Sequence, residues 1–436
     1  MSSGNSVLVI GSGGREHAIA YKLSQSGLVN SVYVAPGNPG MMKSSSKIKT
    51  VNIKVTDPAG LLSFAMKEKI DFTFVGPEVA LSLGVVDLFR EQNLLIIGPT
   101  KAASMLESSK AFAKKIMMEA NVPTAGYKEF KNSNEAISYI HSSPFEKMVV
   151  KCDGLAAGKG VIVCSTKNEA IHAVNAFMND SLLGENIDHI IIEDFLEGIE
   201  VSAFALCNSN GDSHMFLGTA CDHKRLRDGD HGPNTGGMGV FSPAPLFSDE
   251  DEAWINTHVF SPMLKTMKKN GTPFSGILFA GLMKTKSGWS VLEFNVRLGD
   301  PETQVLLPLI DEDLFPAFLS AAKGELEKYA APKKKKLAGV HVVMAALGYP
   351  GTEGIKIRSG DKIVIDQQFS TLKNDYLFFA GVDIADDQLV TSGGRVLGVT
   401  ALRENFTEAR KSAYELVSSI HFEGAQYRTD IGVGQQ

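Results

Sequence analysis

The sequence predicts an α/β protein: a parallel sheet in the first hundred residues, a mixed middle and a β-rich tail. Three observations carry this. Short apolar runs alternate with helical patterns up to about residue 100. From Ser109 the pattern shifts to hairpins and long glycine-rich polar segments. A Pro332 and Lys333 to Lys336 run then reads as a solvated connector, with a β-rich tail beyond it. The 436 residues, 44% hydrophobic and 21% charged, are long enough for two or three domains. A net charge of -6 excludes binding nucleic acid through a broad basic surface. Cys152, Cys164, Cys207 and Cys221 have neither C-x-x-C spacing nor a disulfide pattern, which fits a reducing compartment. With no signal-peptide pattern in MSSGNS and no apolar run of membrane length, a cytoplasmic protein without a membrane partner is expected.

In the first hundred residues the strand candidates are Val7 to Ile10, Val32 to Ala35, Phe72 to Val75 and Leu94 to Ile97. They end in GSGGRE, APGNPG, GPE and GPT. Ligands of open α/β sheets sit at the carboxyl ends of strands, so four polar turns there predict one pocket for an anionic small molecule. The first turn is not a dinucleotide site. Gly11 and Gly13 fill two positions of G-x-G-x-x-G, but Glu16 stands at the third, and no carboxylate follows the next strand to take a ribose.

Further along, SKAFAKKIMMEA from Ser109 is a helix with Lys110 and Lys114 one turn apart, ended by Asn121 and Pro123. KMVVKCDGLAAGKGVIVC, residues 147–164, reads as a hairpin whose tip folds over phosphates. It is not a Walker loop: three residues separate Gly154 and Gly158, and Gly160 follows Lys159. Lys151 would neutralise phosphate from below. In HIIIEDFLEG a strand leads into Glu193, Phe195 and Leu196, a carboxylate with apolar neighbours able to hold an adenine edge and face. CDHKRLRDGDHGPNTGGMG, residues 221–239, is too polar for a strand or helix; its Lys224, Arg225 and Arg227, with the amides of 235–239, would bind an anion.

WSVLEFNVRLGDPETQ, residues 289–304, carries the most specific chemistry. Strand alternation puts Val291, Glu293, Asn295 and Arg297 on one face and Leu292, Phe294 and Val296 on the other. A carboxylate and an amide oxygen two residues apart suit Mg2+, which keeps sites for substrate phosphates. Arg297 adds a fork for phosphate or carboxylate.

Taken together, these segments resemble the ATP-grasp ligases, and among them the phosphoribosylamine-glycine ligase family. The resemblance spans nearly the whole chain: GSGGREHA (11–18), APGNPG (35–40), VKCDGLAAGKGV (150–161), HGPNTGGMG (231–239), LEFNVRLGDPETQ (292–304) and SGGRVLGVTA (392–401). It implies an ATP-grasp fold with a Rossmann-like substrate-binding domain (1–105), a catalytic domain (106–330) with a lid near 124–193, and a β-rich C-terminal domain (331–436). It implies joining glycine to 5-phosphoribosylamine through a glycyl phosphate, at the expense of ATP, in the second step of purine synthesis. ATP would meet Lys110, Lys151 and the loop Gly154, Ala157, Gly158, Lys159 and Gly160. Its adenine would meet Glu193, Phe195 and Leu196, and its ribose Glu200. Glu293 and Asn295 would hold Mg2+ or Mn2+. Arg297, Asp300 and Lys224 would be catalytic. Gly13, Gly14, Arg15, Glu16, Asn38, Pro77, Glu78, Asp222, Thr235, Gly236, Gly237 and Met238 would surround phosphoribosylamine and glycine, the glycine turn taking the phosphate monoester. Ile199 departs from the family's first glutamate in LEGIEVS.

A monomer acting on small molecules is expected. The alternatives are an ATP-grasp ligase using bicarbonate or formate, an NAD-dependent oxidoreductase, and a non-catalytic nucleotide sensor. The missing ribose carboxylate counts against the oxidoreductase, and the Glu293 and Asn295 pair against the sensor.

Overall fold

The computed structural model describes residues 4–154, 160–180, 187–366 and 373–434. The loop residues Ala157, Gly158 and Lys159 named above lie outside the described residues.

The amino-terminal sheet has five strands, β1 Asn5–Gly11, β2 Val29–Pro36, β3 Ile48–Thr50, β4 Phe72–Val75 and β5 Ile96–Ile97. Their order is β3-β2-β1-β4-β5, all parallel. Both faces of the central strand are covered, so Val7 to Ile10 form an unbroken buried run without alternation. The edge strand β3 has a polar sequence, IKT, and was not among the expected strands. Leu94 and Leu95 fall outside β5.

A second unit is a four-stranded antiparallel sheet in the order Tyr127–Phe130, Ile190–Asp194, Met148–Cys152, Val161–Cys164. Helices Ser133–Ser142 and Lys167–Met178 pack on it. Its core, built around Ile140, Val150, Phe177 and Ile190, is separate from the two large cores. Cys152 and Cys164 are two of its small apolar fillers.

The largest sheet has eight strands. Gly288–Asn295, Gly276–Thr285, Ile199–Cys207, His214–Asp222 and Gly239–Ser242 come from the middle of the chain. Ala338–Ala345, Arg395–Arg403 and Asp375–Phe379 continue it without a break. The tail is therefore bonded strand to strand to the middle segment. The amino-terminal sheet is tied to it as well: His17 is fully buried, its Nδ1 accepting the Phe379 N–H at 2.8 Å and its Nε2 bonded to Ser44 Oγ at 2.6 Å. Burial pulls this imidazole down to about 3, so it is neutral at ordinary pH.

Two expectations are corrected. The segment expected to be irregular contains a two-stranded ladder, Arg225–Arg227 with His231–Asn234, turned at Asp228–Asp230 by Gly229 at φ +67. Glycine relieves the left-handed turn there, which is why so polar a stretch still pairs. In Gly288–Asn295 the alternation is interrupted: Gly281 pairs with Glu293 but Leu282 pairs with Val291, leaving Leu292 as a bulge. Val291 consequently joins the core with Phe294, while Leu292 and Glu293 both face the cleft described below.

Candidate active site

A cleft of about 1170 Å³ opens where the three segments meet. Its apolar part includes Val149, Val161, Phe195, Leu196, Leu246 and Leu292. Its polar part holds Lys110, Lys151, Lys224, Arg297 and Arg395 among Glu78, Glu107, Glu200, Asp222, Glu293, Asp300 and Glu302.

Lys110 is placed by the start of its helix, Lys110–Glu119. Ser109 caps it, accepting the Phe112 N–H at 3.1 Å, and donates to Asp153 at 3.1 Å. Asp153 also accepts the Ala111 N–H at 3.2 Å, so helix start and hairpin tip are laced together. The Lys110 ammonium donates to the Gly154 carbonyl at 2.9 Å. Lys151 comes off the adjacent strand and donates to the bulged Leu292 carbonyl at 3.0 Å.

Glu193 lines the cleft with Phe195 and Leu196. Its carboxylate is only 3% exposed and lies 3.0 Å from Lys151 and 3.2 Å from Lys114, forming a buried triad. Lys114, one turn along the helix from Lys110, is buried, and also donates to Thr124 Oγ1 at 2.7 Å. Burial pulls its ammonium down to about 8 against the pull of Glu193. Phe195 and Leu196 do line the apolar wall.

Glu200 is paired with Lys224, and Asp222 lies 4.0 Å from the same ammonium. Burial pushes Asp222 up to about 7, with Glu302 and Glu200 adding to it against Lys224. Burial disfavours the Lys224 charge, but Asp222, Glu200 and Glu293 together carry it well above the lysine range. Lys224 is therefore a fixed positive charge.

Glu293 makes no hydrogen bond or ion pair closer than 4.0 Å among the described residues. Burial favours its neutral form, yet Lys224, Lys151, Lys110 and Arg297 hold it below the usual carboxylate range. A partly buried, ionised carboxylate without a partner, next to the Asn295 carbonyl oxygen, is a donor set that fits a hard divalent cation. No group of three or more acidic, histidine or cysteine side chains among the described residues could hold a metal alone, and a cation at Glu293 and Asn295 would keep sites for phosphate oxygens and water. Arg297 is oriented by Glu107 at 2.9 Å, Glu78 at 3.4 Å and Asn295 Oδ1 at 3.2 Å. Glu107 also accepts the Val296 N–H at 2.8 Å.

The glycine-bearing turns differ most from expectation. Helix Gly14–Ser24 is capped by its own Glu16, which accepts the Gly13 N–H at 2.7 Å and is bonded to Arg15 Nε at 2.6 Å. A Cβ at Gly11 would fall 2.3 Å from Glu16 Cγ, and one at Gly76 2.2 Å from Glu16 Oε1. These glycines house a carboxylate of the chain itself rather than an open phosphate hole. Asn38 spends its amide on the Ser12 and Phe379 carbonyls and the Gly40 N–H. Arg15 and Glu78 line the cleft, whereas Gly13, Gly14, Glu16, Asn38 and Pro77 do not.

The 235–238 amides are not free for an anion either. Thr235 N–H donates to the Lys224 carbonyl at 2.8 Å, Gly236 to Tyr349 Oη at 2.8 Å, Gly237 to Thr235 Oγ1 at 3.0 Å and Met238 to the His223 carbonyl at 2.8 Å. Thr235 and Gly236 still line the cleft; Gly237 and the fully buried Met238 do not. The loop acts as a rigid support for Lys224.

Three family models, for the N, ATP-grasp (A) and C domains of phosphoribosylglycinamide synthetase, match residues 5–107, 108–303 and 339–434. Phosphoribosylamine–glycine ligases from Chlorobaculum tepidum and Escherichia coli O6:H1 are 42% and 45% identical, each over 98% of this chain and 99% and 97% of theirs. This chain belongs to the phosphoribosylamine–glycine ligase family. The human trifunctional purine biosynthetic protein adenosine-3 is 45% identical over 98% of the chain, which spans 41% of that longer protein. The phosphoribosylamine–glycine ligase structure from Thermotoga maritima superposes with a TM-score of 0.83 at 33% identity, covering 98% of this chain and 99% of the other. A Hydrogenobacter thermophilus biotin carboxylase domain shares the fold alone, at 15% identity and a TM-score of 0.73, covering 98% and 92%. The ATP-grasp fold of the ligase family is thus the fold of this chain.

Four residues of the site escaped the sequence reading. Lys114 sat one turn from Lys110, and Glu302 inside GDPET, so both had a signal. Arg395 lay in SGGRV without an assigned role, and Glu107 had no signal at all.

Proposed function

We propose that this chain joins glycine to 5-phosphoribosylamine, giving glycinamide ribonucleotide, ADP and phosphate. The observation that carries this, beyond family membership, is the ionised Glu293, without a partner among the described residues, beside Asn295 and ringed by Lys110, Lys151, Lys224 and Arg297 at the foot of an apolar wall.

A carboxylate resists attack by an amine, so the γ-phosphoryl of ATP first moves to a glycine oxygen, and the amine then displaces phosphate from the glycyl phosphate. This chemistry needs positioning and charge neutralisation more than a covalent nucleophile. Lys110 and Lys151 would take phosphate oxygens, and the Val149, Leu196 and Leu292 wall the base. Glu293 and Asn295 would hold Mg2+ or Mn2+, which supplies charge neutralisation of the phosphates when bound. Arg297, oriented by Glu107 and Glu78, would face the glycine carboxylate or the transferred phosphoryl. Lys224, fixed by Glu200 and Asp222, would stabilise the same charge, and Asp300 and Arg15 would meet phosphoribosylamine. The four-stranded unit with its own core would close over ATP and exclude water from the acyl phosphate.

We place the reaction in the cytoplasm and in a single chain; four free, buried cysteines support a reducing compartment. No helix among the described residues is long and apolar enough to cross a membrane. The test is phosphate release from ATP with glycine, with freshly generated phosphoribosylamine present or withheld. Release that needs both substrates supports the reading, and release with bicarbonate or formate in place of glycine overturns it.

A further inference from the structure

The carboxyl-terminal third lines the cleft with Arg395, and two of its side chains act on one cleft residue, Gly236. Tyr349 Oη accepts the Gly236 N–H at 2.8 Å. Arg395 Nη1 donates to the Gly236 carbonyl at 2.5 Å and to the Asp300 carbonyl at 2.7 Å, while Nη2 meets the Asp300 carboxylate at 3.1 Å. Gly236 is thus gripped at both polar ends. Its missing side chain makes room for the grip: a Cβ there would have three nearest atoms, at 2.9 to 3.1 Å, all in the Arg395 guanidinium. Gly394 plays the same part for the other jaw, since a Cβ on it would fall 2.4 Å from the Tyr349 ring.

We propose that Tyr349 and Arg395 are positioning residues, a clamp that fixes the Gly236 peptide and aims Asp300 into the cleft. The proposal rests on the ligase reading for what the clamp serves. Gly236 follows Thr235, whose amide and hydroxyl both bond the Lys224 carbonyl, so the clamp also steadies the support of Lys224. The Asp300 carboxylate is held ionised against burial by Arg395 and Arg15, and it accepts from Gln304 at 2.7 Å. Among the described residues neither clamp side chain bonds Lys110, Lys151, Phe195 or Leu196. The clamp consequently belongs to the glycine and phosphoribosylamine end of the cleft, and its loss leaves ATP binding intact.

Tyr349→Phe keeps the ring and removes the acceptor; Arg395→Ala removes the other jaw. Each is expected to lower kcat/KM for glycine and phosphoribosylamine by roughly tenfold while the KM for ATP stays within about twofold, as for the loss of one or two directed hydrogen bonds. Arg395→Lys, which retains one donor and the charge, restores part of the loss. The Gly236→Ala methyl acts by displacing Arg395, so Gly236→Ala with Arg395→Ala is expected to be no worse than Arg395→Ala alone. Losses that multiply, or a Tyr349→Phe enzyme with unaltered constants, overturn the clamp. Amide hydrogen exchange of residues 231–239 needs no substrate and separates the two readings. Faster exchange at Gly236 in Tyr349→Phe supports the clamp even if the wild type fails to release phosphate with glycine, and unchanged protection refutes it.

Discussion

Replacing Glu193 by Gln removes the one negative charge between Lys114 and Lys151 while keeping the shape of the side chain. Lys114 has a folded-state pKa of about 8 with Glu193 in place, and 10.5 is its ordinary value. At about pH 7 it is charged in both the folded and unfolded wild type. Without Glu193, burial and the Lys151 charge pull Lys114 lower still, so folding at about pH 7 releases a proton that the unfolded chain keeps. The extra cost at about pH 7 is bounded by the gap from 8 to 7, about 1.4 kcal/mol. Stranding Lys151, which is also buried, brings the total to about 3 to 5 kcal/mol. At about pH 9.5 Lys114 is already neutral in both proteins, so its share vanishes and the gap narrows by about 1.4 kcal/mol. Urea unfolding of wild type and Glu193→Gln at the two pH values measures this. A gap that is the same at both would mean that Glu193 does not hold the Lys114 charge in the fold, and would refute the triad as an electrostatic unit.

Three further outcomes are expected. Glu293→Gln should lower turnover by on the order of a hundredfold through weaker metal and phosphate stabilisation; near-normal turnover with Mg2+ would remove Glu293 from the metal site. His17 and His341 are both buried, and burial holds each at about 3, below the unfolded value of 6.5. The unfolded chain therefore takes up protons first, and stability falls as pH drops from 6.5 towards 3, by about 1.4 kcal/mol per pH unit for each imidazole. His17→Gln should flatten that slope by one imidazole's share in urea unfolding at stepped pH, and an unchanged slope would contradict a neutral His17. Gly11→Ala, which combines a φ of +132 with a Cβ 2.3 Å from Glu16, should cost about 2 kcal/mol or more, read as a lowered urea midpoint.

The fold was legible where the local pattern is decisive. Buried runs such as VLVI and FTFV, and the glycine turns after them, mark a parallel sheet because both faces are apolar. The paired strands Met148–Cys152 and Val161–Cys164 and the helix capped by Ser109 carry their signals within a few residues. What stayed hidden depends on pairing at long range. The Leu292 bulge is set by how Gly281 and Leu282 of the neighbouring strand register, and no local rule predicts the extra residue, so the expected face for Val291 was the wrong one. Likewise Lys114 looks solvated on a helical wheel; only the docking of the Ile190–Asp194 strand, which brings Glu193 to it, makes it a buried member of the site.

The glycine turn shows how one residue can be read correctly in part and still mislead. Glu16 was the reason to discard a dinucleotide, because its side chain stands where that motif needs Gly or Ala for close helix packing. The structure supplies the physical complement. The carboxylate folds back to cap Gly13, and the space it needs is cleared by Gly11 at the end of β1 and Gly76 at the end of β4. Gly11, Gly13 and Gly76 therefore answer to one acidic side chain, and the positive end of the helix is already partly neutralised from within. Arg15 reaches out of this corner: its Nε bonds Glu16 and its Nη1 donates to the Leu298 carbonyl at 3.2 Å at the edge of the RLGDPE segment. One guanidinium thus couples the amino-terminal segment to the RLGDPE segment.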